Sequence, residues 1–504
     1  MKLIQTMNNL RIIVLIAAMV LPALSSWGGS AKRGLGWDEK DVALNADHAR
    51  LLKAGVAWVY NWGPDAACPQ VYDADFAFLP MAWNGAFSES RIRAWYTAHP
   101  ESRYLLGFNE PNFDDQARMT PARAAEAWPR LEAIAADFQL RLVAPALNFS
   151  NSQVGGRIWN PYEWYDEFFR LYPDAKVDCL AMHCYMNWYS AHTWLTLEYF
   201  YSDLYNPRKD CYGRYPNLVK FLDTFKATNG HFPKMMLTEF CSWENDGTIK
   251  NVEFQIDQMT QKVQMMELSD LVEGYAWFMG NAKGGAAAYP YMSVMQTNTA
   301  DSGLSMLGEV YVNMSSFDTT KFYAPDELIQ AKDYVDATTD ERQIKLRPNA
   351  EASSSLPLQI EIPSGGYPCY QIDVPAAGTY KFIFHVTSAQ GSQLTLYVDN
   401  KKENAVTVAP SIDLWTDVAV EAELSAGRHT VMPYNSGSGS VAMNGLRFTD
   451  TNGVDNVAGN NLDAGIVEIV TLQGISLGQV SVDTLSPGVY LARRDDGQFR
   501  KIIK

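Results

Sequence analysis

Residues 104–110 read YLLGFNE, and Pro111 follows. A short apolar run closed by two polar residues and a proline is the pattern of a buried strand whose end reaches solvent. The next segment, 120–138, opens on Thr120 as an N-cap and carries helical spacing. Residues 141–147 (RLVAPAL) then turn apolar again. A strand, a helix and a second strand with no hairpin turn between them make a parallel crossover.

The same unit recurs on both sides. Candidate strands are 33–37 (RGLGW), 55–62 (GVAWVYNW), 76–83 (FAFLPMAW), 104–110, 141–147, 177–185 (VDCLAMHCY), 234–240 (KMMLTEF) and 274–280 (GYAWFMG). Helix-like segments 45–54, 88–99, 120–138 and 251–268 each start on Asn, Ser or Thr. Eight near-continuous apolar strands with intervening helices predict an α/β fold, a (β/α)8 TIM barrel over residues 27–316, and the span suits the roughly 250 residues such barrels need. A doubly wound sheet fits less well, because no GxGxxG follows the first strand.

Beyond the barrel the period changes. Residues 317–343 are a polar connector. Residues 344–450 alternate with period two between turn signals, as in YQIDVPAAGTYKFIFHV, and predict a β-sandwich of jelly-roll type. Residues 451–463 (TNGVDNVAGNNLD) form a linker, and 464–504 a small C-terminal β-domain. At the other end, Lys2 and Arg11 precede a short apolar run, so residues 1–26 have the form of a signal peptide. No later run is long enough to span a membrane. A secreted chain is expected, extracellular, at an outer-membrane surface, or periplasmic.

The net charge of −16 excludes the basic face that a nucleic acid or an anionic membrane requires. The six cysteines show no CxxC or Cys/His spacing, so neither a metal nor a cofactor is expected, and Cys179 and Cys241 fit buried thiols. No feature fixes the oligomeric state, and a monomer is expected. With 14 Trp and 26 Tyr, the chain has aromatic surface to spare for the CH faces of sugar rings. A neutral polysaccharide is the expected partner.

Functional side chains of such barrels sit at the C-terminal ends of strands. The fourth strand ends in Asn109-Glu110 and the seventh in Thr238-Glu239, facing each other across the mouth. Two carboxylates flanking one bond are what glycoside hydrolysis requires. One attacks the anomeric carbon or activates water, and the other protonates the leaving oxygen. Glu110 is expected to be the acid/base and Glu239 the nucleophile, with Asn109 placed to bond a sugar hydroxyl. Other strand-end candidates for substrate contact are Trp62, Trp83, Asn84, His183, Tyr185 and Trp277, the last as a floor beneath the attacked sugar. The aromatic segment 185–205, with Trp188, Tyr189 and Trp194, is expected over the cleft as a loop or short helix.

In this order, KRGLGW, GVAWVYNWG, FLPMAWN, LLGFNEPN, VDCLAMHCY, LTEF and YAWFMG resemble glycoside hydrolase family 128 over residues 31–316. The resemblance implies a retaining endo-β-1,3-glucanase acting on laminarin- or curdlan-type glucan, with Glu110 at the acid/base position and Glu239 at the nucleophile position. The family motif usually ends LGFNEPD, whereas this chain has Asn112. Another β-glycan, such as β-1,4- or mixed-linked glucan or mannan, and a non-catalytic glycan-binding role remain alternatives. The 344–450 segment resembles family 6 carbohydrate-binding modules, which implies loop contacts from Tyr370, Trp415 and Asn444. The tail resembles type IX secretion sorting domains.

Overall fold

The computed structural model describes residues 29–185, 197–241, 251–338, 340–411 and 414–451, and the strand residues 466–471, 476–478, 489–494 and 499–503. The expected signal segment 1–26, most of the linker, and Trp188, Tyr189 and Trp194 lie outside the described residues.

The barrel strands are β1 (Ser30–Gly36), β2 (Val56–Tyr60), β3 (Ala77–Phe78), β4 (Tyr104–Leu106) and β5 (Arg141–Val143). After a small hairpin of β6 (Gln153–Val154) and β7 (Arg157–Ile158) come β8 (Cys179–Cys184), β9 (Lys234–Phe240) and β10 (Val272–Trp277). All seven pairings among these eight strands are parallel, in the order β3-β2-β1-β10-β9-β8-β5-β4. The ring closes where Leu106 N donates to Pro80 O and Ala82 N to Leu106 O, both at 3.0 Å.

Strands three to five are shorter than their apolar runs predict. Pro80 and Pro145 have no N–H to give a ladder. At Gly107 the backbones approach so closely that a Cβ would lie 2.7 Å from Val143 O. Isolated bridges at Met81, Asn109 and Leu147 carry each strand on to its mouth end.

The helices are α1 (Ala46–Leu52), α2 (Glu89–Ala98), α3 (Pro121–Phe138), α4 (Pro161–Leu171), α5 (Leu197–Tyr205), α6 (Pro216–Asn229), α7 (Val252–Leu268), the short α8 (Gly285–Ala288) and α9 (Met306–Asn313). Asn45, Thr120, and Asn251 cap their helices with side-chain oxygens as expected, whereas the Ser88 hydroxyl makes no cap bond and faces Ser90. In α5, part of the segment expected over the cleft, Phe200, Tyr201 and Leu204 are buried. Phe200 stacks on Tyr162 and Tyr201 on Phe232, so this helix is part of the wall of the core.

Side chains of alternate strand residues fill the barrel interior: Trp58, Tyr60, Leu79, Met81, Leu106, Val143, Ala146, Cys179, Ala181, Met236 and Ala276. Gly34 is required there, since a Cβ would lie 2.2 Å from the Trp58 ring. At the opposite end from the mouth, Glu273 is bound by Tyr104 and Arg141, with Lys234 at 3.6 Å.

Arg33 is fully buried between β1 and the end of α9. It donates to the carbonyls of Tyr311 (3.1 Å), Met314 (3.1 Å) and Ser315 (2.5 Å) and to the Tyr275 hydroxyl (3.1 Å), with Glu267 at 3.5 Å. Arg33→Met strands a buried carboxylate and three carbonyls. Urea unfolding should show a loss of about 3–5 kcal/mol. A loss below about 1 kcal/mol would mean that water replaces the guanidinium there.

After the barrel, antiparallel strands form two facing sheets. One holds β13 (Lys345–Pro348), β14 (Leu358–Ile362), β21 (Val441–Asp450), β16 (Gly378–Thr387) and β19 (Thr416–Leu424), with β11 (Ile329–Gln330) paired to β21. The other holds β12 (Asp336–Ala337), β15 (Pro368–Val374), β20 (Gly427–Asn435), β17 (Ser392–Val398) and β18 (Lys401–Val408). Strands Ile466–Thr471, Ser476–Gly478, Val489–Arg494 and Phe499–Ile503 make a further four-stranded antiparallel sheet. The sandwich sits against the barrel: β13 packs on α7 and α9, and Arg347 donates to both oxygens of Asp257 on α7 (2.8 and 3.3 Å). Two of the expected sugar contacts fail here. Tyr370 is fully buried with its hydroxyl on Ala331 O, and Asn444 is buried against Glu351. Trp415, half-buried, stacks on His385.

Candidate active site

A cleft of about 1090 Å3 opens at the C-terminal ends of the barrel strands. Trp62, Trp83, Asn109, Glu110, Tyr185 and Glu239 line it, as do Phe113, Gln116, Asn148 and Phe278. A second cavity, among α3, α4 and α6 on the outer helical layer, is remote from both glutamates.

Glu239 is buried at the end of β9 and accepts bonds at both oxygens. Trp62 Nε1 donates to Oε1 at 2.7 Å and the Tyr185 hydroxyl to Oε2, while the Tyr60 hydroxyl, which donates to Thr238 O at 2.8 Å, lies 3.3 Å from Oε1. His183 lies between the two carboxylates, with Nδ1 2.8 Å from Glu110 Oε1 and 3.3 Å from Glu239 Oε2. Its Nε2 faces the Thr238 hydroxyl at 3.0 Å. With acceptors only on one side, Nδ1 is the nitrogen that carries a proton. Glu110 also takes a bond from Asn148 Nδ2 at 3.2 Å, again on Oε1. One ligand atom from each of Glu110, His183 and Glu239 lies within 4.8 Å of the other two. Such a trio is of a size to hold a cation, but both oxygens of Glu239 already face N–H or O–H groups.

Glu110 and Trp62 both have left-handed backbones, at φ 42° and 61°. Each conformation costs about 1–3 kcal/mol and persists only where surrounding bonds enforce it. At Glu110 these are Glu110 N to Ala146 O (2.9 Å), Ala117 N to Asn109 O (3.1 Å) and Met119 N to Pro111 O (2.8 Å). The turn aims the carboxylate into the cleft rather than along the strand.

Burial raises the Glu239 carboxyl above the usual carboxylate range, against the pull of His183. Glu110 pushes it further up, and Tyr185 and Trp62 draw it down only in part. Burial lowers His183, but the charges of Glu239 and Glu110 and the Glu110 bond outweigh it, and the net shift is upward. The hydroxyls of Tyr60 and Tyr185 are pushed well up by burial and by Glu239, so both stay protonated donors. Trp62 and Tyr185 thus stand as fixed donors on Glu239, with His183 between the two carboxylates.

Residues 34–208 and 209–311 match the glycosyl hydrolase catalytic core family, which accounts for more than half of the chain. The chain belongs to the glycosyl hydrolase catalytic core family. Among solved structures, this glycosyl hydrolase is similar to a GH128 (subgroup II) endo-β-1,3-glucanase from Pseudomonas viridiflava, with 32% identity over 56% of this chain and 98% of that one, at a TM-score of 0.41. A GH128 (subgroup II) endo-β-1,3-glucanase from Sorangium cellulosum is 26% identical over 56% and 97%, also at 0.41. The alkali-sensitive linkage protein 1 of Schizosaccharomyces pombe is 24% identical over 290 residues, and the chain spans 45% of that relative's length.

In this glycosyl hydrolase two expected contacts lie elsewhere. Trp277 is fully buried, donates to Met292 O at 2.7 Å and packs on Phe240 and Tyr311 outside the barrel. Strand alternation explains it. Ala276 points inward, Trp277 outward, and Phe278 inward again, where it meets Trp62 and Tyr185 edge to face. Asn84 turns its side chain onto Ala86 N (2.9 Å) and lines a separate depression beside the cleft. Trp83 and Asn109 do line the cleft. Asn109 Nδ2 donates to Gln116 (3.2 Å), while its buried Oδ1 has no partner among the described residues.

Sequence reasoning missed Tyr60, Asn148, Thr238 and Phe278. Tyr60 and Phe278 were within reach of the same alternation, two residues from Trp62 and from Ala276. Asn148 directly follows the fifth apolar run. Nothing in the sequence marks Thr238 beyond its place before Glu239.

Proposed function

We propose that the chain hydrolyses β-1,3-glucan by a retaining double displacement, with Glu239 as nucleophile and Glu110 as acid/base. The spacing of the Glu110–His183–Glu239 cluster carries the reading. Carboxylate oxygens within 4.8 Å of each other and of His183 favour direct attack, for which the carboxyl groups stand roughly 5–5.5 Å apart, over the roughly 6.5–9.5 Å of an inverting enzyme. Two donors on Glu239, Trp62 Nε1 and the Tyr185 hydroxyl, favour its charged form, as a nucleophile needs, while one oxygen of Glu110 is left to face the cleft.

In the first step Glu239 attacks the anomeric carbon. The bond to the leaving oxygen breaks, and Glu110 gives that oxygen its proton. In the second, Glu110 takes a proton from water, the water oxygen bonds to the anomeric carbon, and Glu239 departs. The left-handed turn at Glu110 and the Trp62 donor fix both groups before substrate arrives, so little reorganisation is left for the transition state.

The β-1,3 linkage is supported by the likeness to GH128 endo-β-1,3-glucanases. Incubation with laminarin and curdlan should release reducing ends. Release only from a β-1,4- or mixed-linked glucan or a mannan would keep the chemistry and overturn the linkage.

A further inference from the structure

We propose that Asn112 is a positioning residue for the general acid, acting through Asn148 to fix which oxygen of Glu110 carries the proton. This rests on the assignment of Glu110 as acid/base.

Asn112 is fully buried, two residues beyond Glu110. Its Nδ2 donates to Asn148 O at 2.6 Å and to Trp159 O at 3.1 Å. Two carbonyls facing one terminal group settle the orientation of the amide. The NH2 must point at them, and Oδ1 lies on the other side without a partner among the described residues. The amide thus ties the turn after β4 to the segment after β5 and to the end of the β6–β7 hairpin.

The tie is transmitted by Asn148. With its backbone held by Asn112, its Oδ1 accepts from Phe149 N at 2.8 Å. That bond leaves Nδ2 to face Glu110 Oε1 at 3.2 Å, where His183 Nδ1 also points, at 2.8 Å. An oxygen with two donors aimed at it has no room for a proton of its own, so the neutral acid carries its proton on Oε2. A proton on Oε1 would point at His183 and Asn148 and be unavailable to a leaving oxygen. An ionised carboxylate at position 112 would have nothing to donate to either carbonyl.

The test uses the full chain carrying Asn112→Asp, Asn148→Ala, or both. The readouts are kcat/KM on laminarin and on a dinitrophenyl β-laminaribioside, and melting temperature. Asn112→Asp should lower laminarin cleavage about 10- to 100-fold, the scale of a small misplacement of a catalytic group, and spare the activated substrate. Asn148→Ala leaves the tie to the Asn148 carbonyl in place and should reproduce this split between the two substrates. The double variant should lose no more than the worse single one. Equal losses on both substrates or multiplying losses in the double variant would overturn the proposal. Failure of the unaltered chain to cleave either substrate would instead overturn the function proposed above.

Discussion

Glu239→Ala should lower kcat on laminarin by about 10^4- to 10^6-fold, the range seen when a covalent nucleophile or the base that activates it is removed. The variant keeps the general acid but offers no atom to attack the anomeric carbon. Removing the side chain opens a small space beneath that carbon, ringed by the Trp62 N–H and the Tyr60 and Tyr185 hydroxyls. Azide fits an anion site of that kind. With an activated aryl substrate it should restore turnover and give a glycosyl azide of inverted configuration, detected by proton NMR. Near-normal activity of Glu239→Ala on laminarin would remove Glu239 from the mechanism. The unaltered enzyme carries a linked pH signature. Its nucleophile must be ionised, and burial raises the Glu239 carboxyl. Activity should therefore fall with acid through a limb above the ordinary carboxylate range, since kcat/KM reports groups of the free enzyme.

Glu110→Ala should have the second largest effect, and the substrate decides its size. Natural glucan leaves as a poor alkoxide, so loss of the acid should cost about 10^2- to 10^4-fold on laminarin. A dinitrophenyl glycoside leaves without a proton, so its glycosylation step should be nearly unchanged. The covalent intermediate should then accumulate, because the base that activates water in the second step is missing as well. A burst of dinitrophenolate followed by slow turnover is the expected trace. Equal losses on both substrates would show Glu110 to be needed for shape rather than for proton transfer.

The barrel was legible because its strands are buried on both faces and separated by capped helices, a pattern that the chemistry of β4 and its neighbours leaves little freedom to disguise. Strand count placed Glu110 and Glu239 at one mouth, and the two-residue spacing of His183 and Tyr185 put both on one side at the end of the sixth apolar run. What stayed hidden depends on parity and on distant partners. Trp277 looked like a sugar platform, yet one residue of register sends it into the outer core and brings Phe278 to the cleft. Asn84 satisfies a nearby backbone N–H, a local competition that no strand pattern reveals. Asn148 and Tyr60 act through side chains that meet Glu110 and Glu239 across 38 and 179 positions of sequence, and such meetings exist only once the barrel has closed.

The seam between the barrel and the sandwich also bears on inheritance. Helix α7 leads from the strand that carries Glu239, and it contributes Asp257 to the half-buried pair with Arg347. A gene crossover just after α9 would separate these partners and uncover the flanks of α7 and α9 on which Lys345–Pro348 rests. Recombination that exchanged the downstream module would have to deliver a new cation and a new cover in the same event. The two parts are thus coupled in stability across this seam.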